Sequence, residues 1–383
     1  MTAGSTASVV IIGGGVIGTS IAFHLAESGV RDIVLVEAEQ LGSGSTSKAA
    51  GGVRLQFSDA VNIELAMRSM AAFEDFSNRP GAEIGFRQVG YLMLLTEPTD
   101  VEMFTKSVAL QNDMGVPSRM LSAVDAGALA PLVDVDDVLA ASFCERDGHA
   151  DPGAVVRGYA DRARALGVEI STGCRVTSIG RDGGRIVSVD TDRGRIETDT
   201  VVCAAGPWSG RVGALAGVQL PVVPVRRPIW YTEPMVELPR DHPFTIDFAT
   251  GFYFHDSGPG LLFGMADPEQ PPGFDVEMRS DWLEIVAAVA ARRVPRLGDV
   301  GIAGGWTGFY ETTPDHNAVI GESSDLARFF YATGFSGHGF LLGPAVGEVV
   351  RDLVLGRTPV VDVSAFTVER FLSDDQRPEH NII

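Results

Sequence analysis

Three glycines in the run SVVIIGGGVIGTS, Gly13, Gly15 and Gly18, stand at G-x-G-x-x-G spacing, and an acid, Glu37, follows nineteen residues after the last of them. The first glycine permits a tight turn, the second lets backbone approach a pyrophosphate, and the third allows a helix to pack closely on a sheet. A helix starting there offers unpaired N–H groups and partial positive charge to phosphates. A carboxylate at the end of the next strand accepts hydrogen bonds from a ribose and disfavours a phosphorylated one. The pattern predicts a dinucleotide and leaves NAD and FAD both open. A second glycine-rich run, YATGFSGHGFLLGPAVGEVV, begins more than three hundred residues later at Tyr331.

These residues need elements to hold them. Ser8 to Ile12 is β-branched and apolar, as in a strand buried on both faces. Val16 to Ser28 carries Ile17, Ile21 and Leu25 at helical spacing and is closed by Gly29. Asp32 to Val36 is a second strand. The β-α-β unit predicts a right-handed crossover and a parallel sheet. Near His149 a second zone opens with the amphipathic helix GAVVRGYADRARALG, followed by short alternating strands up to VVCAAGP. Elsewhere, strand and helix patterns mix with many prolines. There is no internal repeat, low-complexity run or long linker, and 383 residues exceed the usual single core. Two interleaved domains are expected.

A formal net charge of -20 repels phosphate backbones and anionic membrane surfaces, which argues against nucleic-acid and membrane partners. Lys48 and Lys106 are the only lysines, so a mechanism needing a buried amine has two candidates. Cys144, Cys174 and Cys203 lack the spacing of a disulfide framework or a zinc site. No metal site is expected, and a reducing cytoplasm is the expected location. The N-terminal run reads as neither signal peptide nor membrane span.

The stretch EAEQLGSGSTSKAAGGVRLQF after the second strand is rich in small polar residues rather than continuing a nicotinamide-type alternation. With it, IIGGGVIGTSIAFHLAESG, CRVTSI with VVCAAGPWSG, GFYFHDSGPGLLFG and GFSGHGFLLGPAVGE occur in order over nearly the whole chain. In these blocks the sequence resembles the FAD-dependent oxidoreductases of the D-amino-acid oxidase superfamily, within it the sarcosine oxidase, glycine oxidase and proline dehydrogenase β-subunit group. The resemblance implies an α/β fold: a Rossmann-like FAD-binding domain with a parallel sheet (1–78, 148–220 and 318–383) interleaved with a substrate domain on a mixed, largely antiparallel sheet (79–147 and 221–317).

The resemblance also implies FAD contacts at Gly13, Gly15, Val16, Ile17 and Gly18, at Glu37 and Ala38, and at Ser45, Thr46, Ser47, Gly51 and Gly52 of the flavin loop. Further contacts are implied at Val176, at Ala205, Gly206 and Trp208, and at Gly337, His338, Gly339, Phe340 and Leu341. Gly337 and Gly339 let the chain fold against a flat ring, and a helix is expected to begin near Gly343 or Pro344. Its N-terminus at the pyrimidine side of the flavin would stabilise the charge of the reduced ring.

On the substrate side, Arg54 aligns with a carboxylate-binding arginine, a residue type able to grip both oxygens. Tyr253 and Tyr310 match aromatic positions over the flavin. His255 either lines the pocket or is exposed. Leu262 and Leu341 stand where sarcosine oxidases carry lysines, and Gly308 where they carry the flavin-linking cysteine. FAD is therefore expected to be held non-covalently, with Lys48 as the remaining amine near the ring. The expected activity is oxidation of a C–N bond in a small amine or N-substituted amino acid, with O2 or another acceptor taking the electrons. Oxidation of a hydroxy acid or alcohol, or service as the flavin subunit of a multi-chain dehydrogenase, are the alternatives. Oligomeric state is not legible.

Overall fold

The computed structural model describes residues 5–236, 238–239, 241–372 and 377–382. Residues 1–4, 237, 240, 373–376 and 383, which fall inside the expected domain segments, lie outside the described residues.

The β-branched run near the N-terminus forms the strand Val9–Ile12, buried along its whole length. It lies centrally in a six-stranded sheet ordered Val319–Glu322, Phe329–Thr333, Val201–Cys203, Val9–Ile12, Ile33–Val36, Glu169–Ser171. All neighbours are parallel except the first pair. The helix Val16–Glu27 follows the first glycine turn. It packs against the helices Pro152–Ala165 and Gly339–Val354. Glycines set the closeness of the last contact: a Cβ on Gly343 would lie 2.9 Å from Val16 Cγ2, and one on Gly347 would lie 2.7 Å from His24 Cδ2.

A second, eight-stranded sheet is ordered Ile302–Thr312, Val223–Thr232, Gly260–Gly264, Phe252–Ser257, Phe244–Asp247, Tyr91–Leu95, Ala140–Cys144, Arg119–Leu121. Only Phe244–Asp247 with Tyr91–Leu95 is parallel, so this sheet is mixed and largely antiparallel. A smaller four-stranded sheet, Ser5–Thr6, Gly194–Glu197, Arg185–Thr191 and Val176–Asp182, flanks the first. Among the described residues, no helix is long and apolar enough to cross a membrane. All three cysteines are buried thiols.

The segment after Glu37 leaves the first sheet and reaches the second. It ends in Gly52–Val53, which pairs with Gly148–His149. Beyond it, the fully buried Asp147 accepts hydrogen bonds from Leu55 N (2.8 Å) and Gln56 Nε2 (3.0 Å), while Ser142 donates to Gln56 Oε1 (2.5 Å). Gln56 Nε2 also donates to Tyr91 O (3.0 Å). These bonds fasten the backbone around Arg54 to two strands of the eight-stranded sheet. Burial pushes the Asp147 carboxyl up to about 7.

The expected helix start is corrected. The C-terminal helix begins at Gly339, and Pro344 lies inside it. A proline there deprives the Phe340 carbonyl of its intrahelical donor. The next residue, Ala345, donates its N–H to Ser69 Oγ at 3.1 Å, outside the helix.

Replacing Asp147 by alanine orphans the Leu55 N–H and one of the two Gln56 Nε2 N–H groups in the core. The expected cost is about 2–5 kcal/mol of unfolding free energy, read by denaturant titration. A loss below about 0.5 kcal/mol would show that the stitch does not hold this segment.

Candidate active site

The two glycine-rich turns line one cavity of about 480 Å³ between the two sheets. At one end is the first turn. Gly13 has a φ of +114°, where a side chain would be strained and would strike the Ala204 carbonyl. A Cβ on Gly18 would collide with the Gly13 carbonyl, so Gly18 is what lets the helix sit on the turn. Gly18 itself does not line the cavity. Gly15 faces Thr46, whose Oγ1 accepts the Val16 N–H at 3.2 Å. The N–H groups of Ile17 and Gly18 have no partner within the first turn of the helix.

Glu37 Oε2 accepts the Gly14 N–H at 2.7 Å and Oε1 accepts the Glu39 N–H at 2.8 Å. The carboxylate therefore shapes the turn and still has lone pairs for a further donor. Ala38, Val176, Ala205, Gly206 and Trp208 line this end as well. Gly206 has a φ of +53°.

The flavin loop crosses the middle. Ser45 Oγ donates to the Phe309 carbonyl at 2.7 Å, and Trp306 Nε1 donates to the Lys48 carbonyl at 3.0 Å, so the eight-stranded sheet grips the loop from its far side. Thr46, Lys48, Gly51 and Gly52 line the cavity. Ser47 does not, and its expected role is corrected: in the short helical turn Thr46–Lys48 its side chain points outward and is exposed, and its N–H is taken by the Gly42 carbonyl at 2.9 Å. A Cβ on Gly308 would lie 3.1 Å from Lys48 Cβ, so any larger residue there would press on the loop.

The other end is walled by rings. Tyr91 stacks on Phe244 (centroids 4.2 Å apart), which faces Tyr253 at 5.8 Å. Tyr310 lies against Gly337, whose φ of +101° brings its backbone onto the ring. Burial pushes the hydroxyls of Tyr91, Tyr253 and Tyr310 upward, so all three are neutral donors. His255 is neither exposed nor in the cavity. Its buried ring packs on Phe244 (4.8 Å) behind the loop, with Nδ1 2.7 Å from the Asp256 carbonyl and Nε2 2.9 Å from the Ala50 carbonyl. Burial and the neighbouring His149 push it down to about 4. Leu262 is buried in the core beside Tyr253, while Leu341 lines the cavity.

Arg54, 5% exposed, reaches this end. One amino group donates to His338 Nε2 (2.9 Å) and the Asn381 carbonyl (2.5 Å), the other to the Gln56 carbonyl, and the guanidinium lies 4.2 Å from the Phe57 ring centre. Because Arg54 can only donate, His338 is the Nδ1-protonated, neutral tautomer. Burial, reinforced by Arg54, holds its pKa well below the usual histidine range. Among the described residues no carboxylate forms an ion pair with Arg54. The acids that act on it are engaged elsewhere: Glu379 with Ser58 and Asn62, Asp147 with Leu55 and Gln56.

His338 precedes the helix starting at Gly339. The N–H groups of Gly339, Phe340 and Leu341 are its free first turn, the first intrahelical bond running from Leu342 N to the His338 carbonyl at 3.2 Å.

Residues 8–353 match the family described as FAD dependent oxidoreductase. The chain belongs to that family. It is 31% identical to the mitochondrial sarcosine dehydrogenase of Mus musculus over 384 residues, covering 96% of this chain and 42% of the relative. It thus spans about two fifths of that relative's length. Its fold is similar to that of an L-proline dehydrogenase from P. horikoshii (TM-score 0.92, 32% identity, 97% of this chain and 100% of that one). It is also similar to a glycine oxidase from Geobacillus kaustophilus (TM-score 0.86, 27% identity, 96% and 99%).

The residues present fit FAD. A glycine cradle that a Cβ would fill, two helix starts with unused N–H groups and an aromatic chamber are continuous along one cavity. The side-chain amide of Asn381, which also lines the cavity, has neither of its polar atoms paired. Among the lining residues that escaped sequence reading are Tyr91, Phe244, Arg227, Glu311 and Asn381. In VPVRRPIWYT the alternation Val225, Arg227, Ile229 places an arginine on an inward strand face, a signal available in advance. Tyr91 and Asn381 carry no local signal.

Glu311 lies beside both Gly206 and Gly339. Burial pushes its carboxyl up to about 7, although the Thr333 hydroxyl (2.8 Å) and the Gly334 and Phe335 N–H groups favour its ionised form. The folded state therefore keeps this proton at pH values where the unfolded chain has released it. The associated stability is complete below the ordinary glutamate range and is lost as pH rises to about 7. Glu311→Gln should flatten that loss by up to about 3 kcal/mol between pH 4.5 and 8, measured by denaturant unfolding at each pH. Parallel pH profiles for the two proteins would refute the assignment.

Proposed function

We propose that this chain oxidises a C–N bond in a small amine or N-substituted amino acid, and that the imine formed is then hydrolysed. In this reading FAD is held non-covalently by the six-stranded-sheet half, and the eight-stranded-sheet half covers its ring and holds the substrate. The observation that carries it is a buried guanidinium, Arg54, that has no carboxylate partner among the described residues and faces an aromatic chamber continuous with the dinucleotide cradle. The names of the relatives, sarcosine dehydrogenase, L-proline dehydrogenase and glycine oxidase, support the same class.

The glycine turn and the Val16–Glu27 helix start would hold the pyrophosphate, and Glu37 the adenosine ribose. Bound FAD supplies the hydride acceptor. The start of the Gly339–Val354 helix places partial positive charge at one end of the chamber, which favours an anion there. Arg54 would take the substrate carboxylate with its remaining donors. Tyr91, Phe244 and Tyr253 exclude water from the amine, and Tyr310 offers a neutral hydroxyl. Lys48, the only lysine in the cavity wall, would stand on the loop side of the ring. With glycine at 308 in place of a nucleophile, that strand position offers no atom for a covalent link.

The holoenzyme should bleach its flavin absorbance anaerobically with N-methyl or cyclic amino acids and not with the matching hydroxy acids. Bleaching by hydroxy acids alone would transfer the reading to C–O oxidation, and peroxide formation in air separates oxygen from another acceptor. Arg54→Ala should raise KM for carboxylated amines at least about tenfold, the loss of a charge-assisted contact. An unchanged KM removes the assignment.

Acid precipitation should release all the flavin into the supernatant. Yellow colour remaining in the pellet would establish a covalent bond.

A further inference from the structure

A second guanidinium enters the same chamber. Arg227 lies on Val223–Thr232, opposite Gly308 of the neighbouring strand, and its guanidinium sits 4.7 Å from the centre of the Tyr310 ring. The absence of a side chain at 308 leaves that strand face to Arg227 and Tyr310. The adjacent Arg226 is saturated by the Asp275 carboxylate (2.8 Å), Gln270 Oε1 (2.9 Å) and the Glu277 carbonyl (2.7 Å). Arg227 has a single bond, from one amino group to the Arg226 carbonyl at 3.1 Å, and its buried Nε has no partner. The acid that acts on it, Asp267, is committed to Arg279 at 3.0 Å. Among the described residues, Arg227 has no ion pair.

A planar five-donor group left largely unpaired at the wall of a cavity is costly unless a ligand completes it. Arg54, though better hydrogen-bonded, likewise lacks an ion-pair partner at a different point of the wall. Tyr310 separates the two: Arg227 covers its ring, while its edge meets Gly337, next to the His338 that accepts from Arg54. The Tyr310 hydroxyl feels both cations. One carboxylate cannot reach both sides of a tyrosine ring, but an amine bearing two carboxylates can.

We propose that Arg227 is a second anion anchor and that the substrate class is an N-substituted amino dicarboxylate, with one carboxylate on Arg54 and the other on Arg227. This rests on the reading of the cavity as an amine-oxidising site.

The test uses the FAD-loaded protein and the change in flavin absorbance on titration with acetate, malonate, succinate and glutarate. At least one dicarboxylate should bind about tenfold or more tighter than acetate, the size of one charge-assisted hydrogen bond. In Arg227→Gln that dicarboxylate should fall to the level of acetate, and Arg227→Lys should recover part of the preference. In turnover, N-methyl-L-aspartate or N-methyl-L-glutamate should have a lower KM than sarcosine, and Arg227→Gln should raise only the dicarboxylate KM. The flavin content of each variant verifies folding.

A wild-type protein without dicarboxylate preference overturns the proposal and leaves the amine reading standing. So does an Arg227→Gln variant that keeps the preference, or one that loses acetate and dicarboxylates equally. Should no carboxylate perturb the flavin and no amine reduce it, the underlying reading falls as well.

Discussion

The site depends on how closely two helices approach. Val16–Glu27 and Gly339–Val354 come from opposite ends of the chain and touch through glycines at 343 and 347, where any side chain would meet Val16, Ser20 or His24. That contact fixes the first glycine turn relative to the second, and so fixes the length of the cavity between them. Packing at van der Waals range transmits displacement. A methyl group at either glycine would push apart the two helix starts that converge on one ligand.

Electrostatics at the aromatic end of the cavity run opposite to the chain's overall balance. The molecule carries an excess of acids, yet its chamber presents guanidinium groups, neutral tyrosines and a helix N-terminus. Acids near Arg54 are turned away and bound to backbone or amide donors, so the charge is left for a ligand. Such an arrangement costs stability, and the interlocked bonds of Asp147, Gln56 and Ser142 hold the arginine's backbone in place against that cost. Neutral His338 adds an acceptor without adding a second positive charge.

Much of this was legible in the chain itself. Gly13 and Gly18 are at positions where geometry tolerates nothing larger, which is why their spacing carries information. The buried strands read correctly because both faces are covered and β-branched residues fill them. The helix at Gly339 was misplaced by Pro344, because the usual rule puts proline in a first turn; here Ser69 supplies a hydroxyl next to the break, a long-range event. Ser47 was grouped with its neighbours although a tight turn sends successive side chains in different directions. Tyr91 and Asn381 reach the cavity only through strand pairing and chain return, so no local pattern marks them. Arg227 was marked by alternation and passed over beside its well-paired neighbour.

Asn381, whose carbonyl meets Arg54, lies more than three hundred and sixty residues beyond the Gly13 that turns the chain at the opposite end of the cavity. Closing the wall around Arg54 therefore waits until residue 381 has been synthesised and has returned to residue 54, a contact of very high sequence separation whose long loop must close before it can hold.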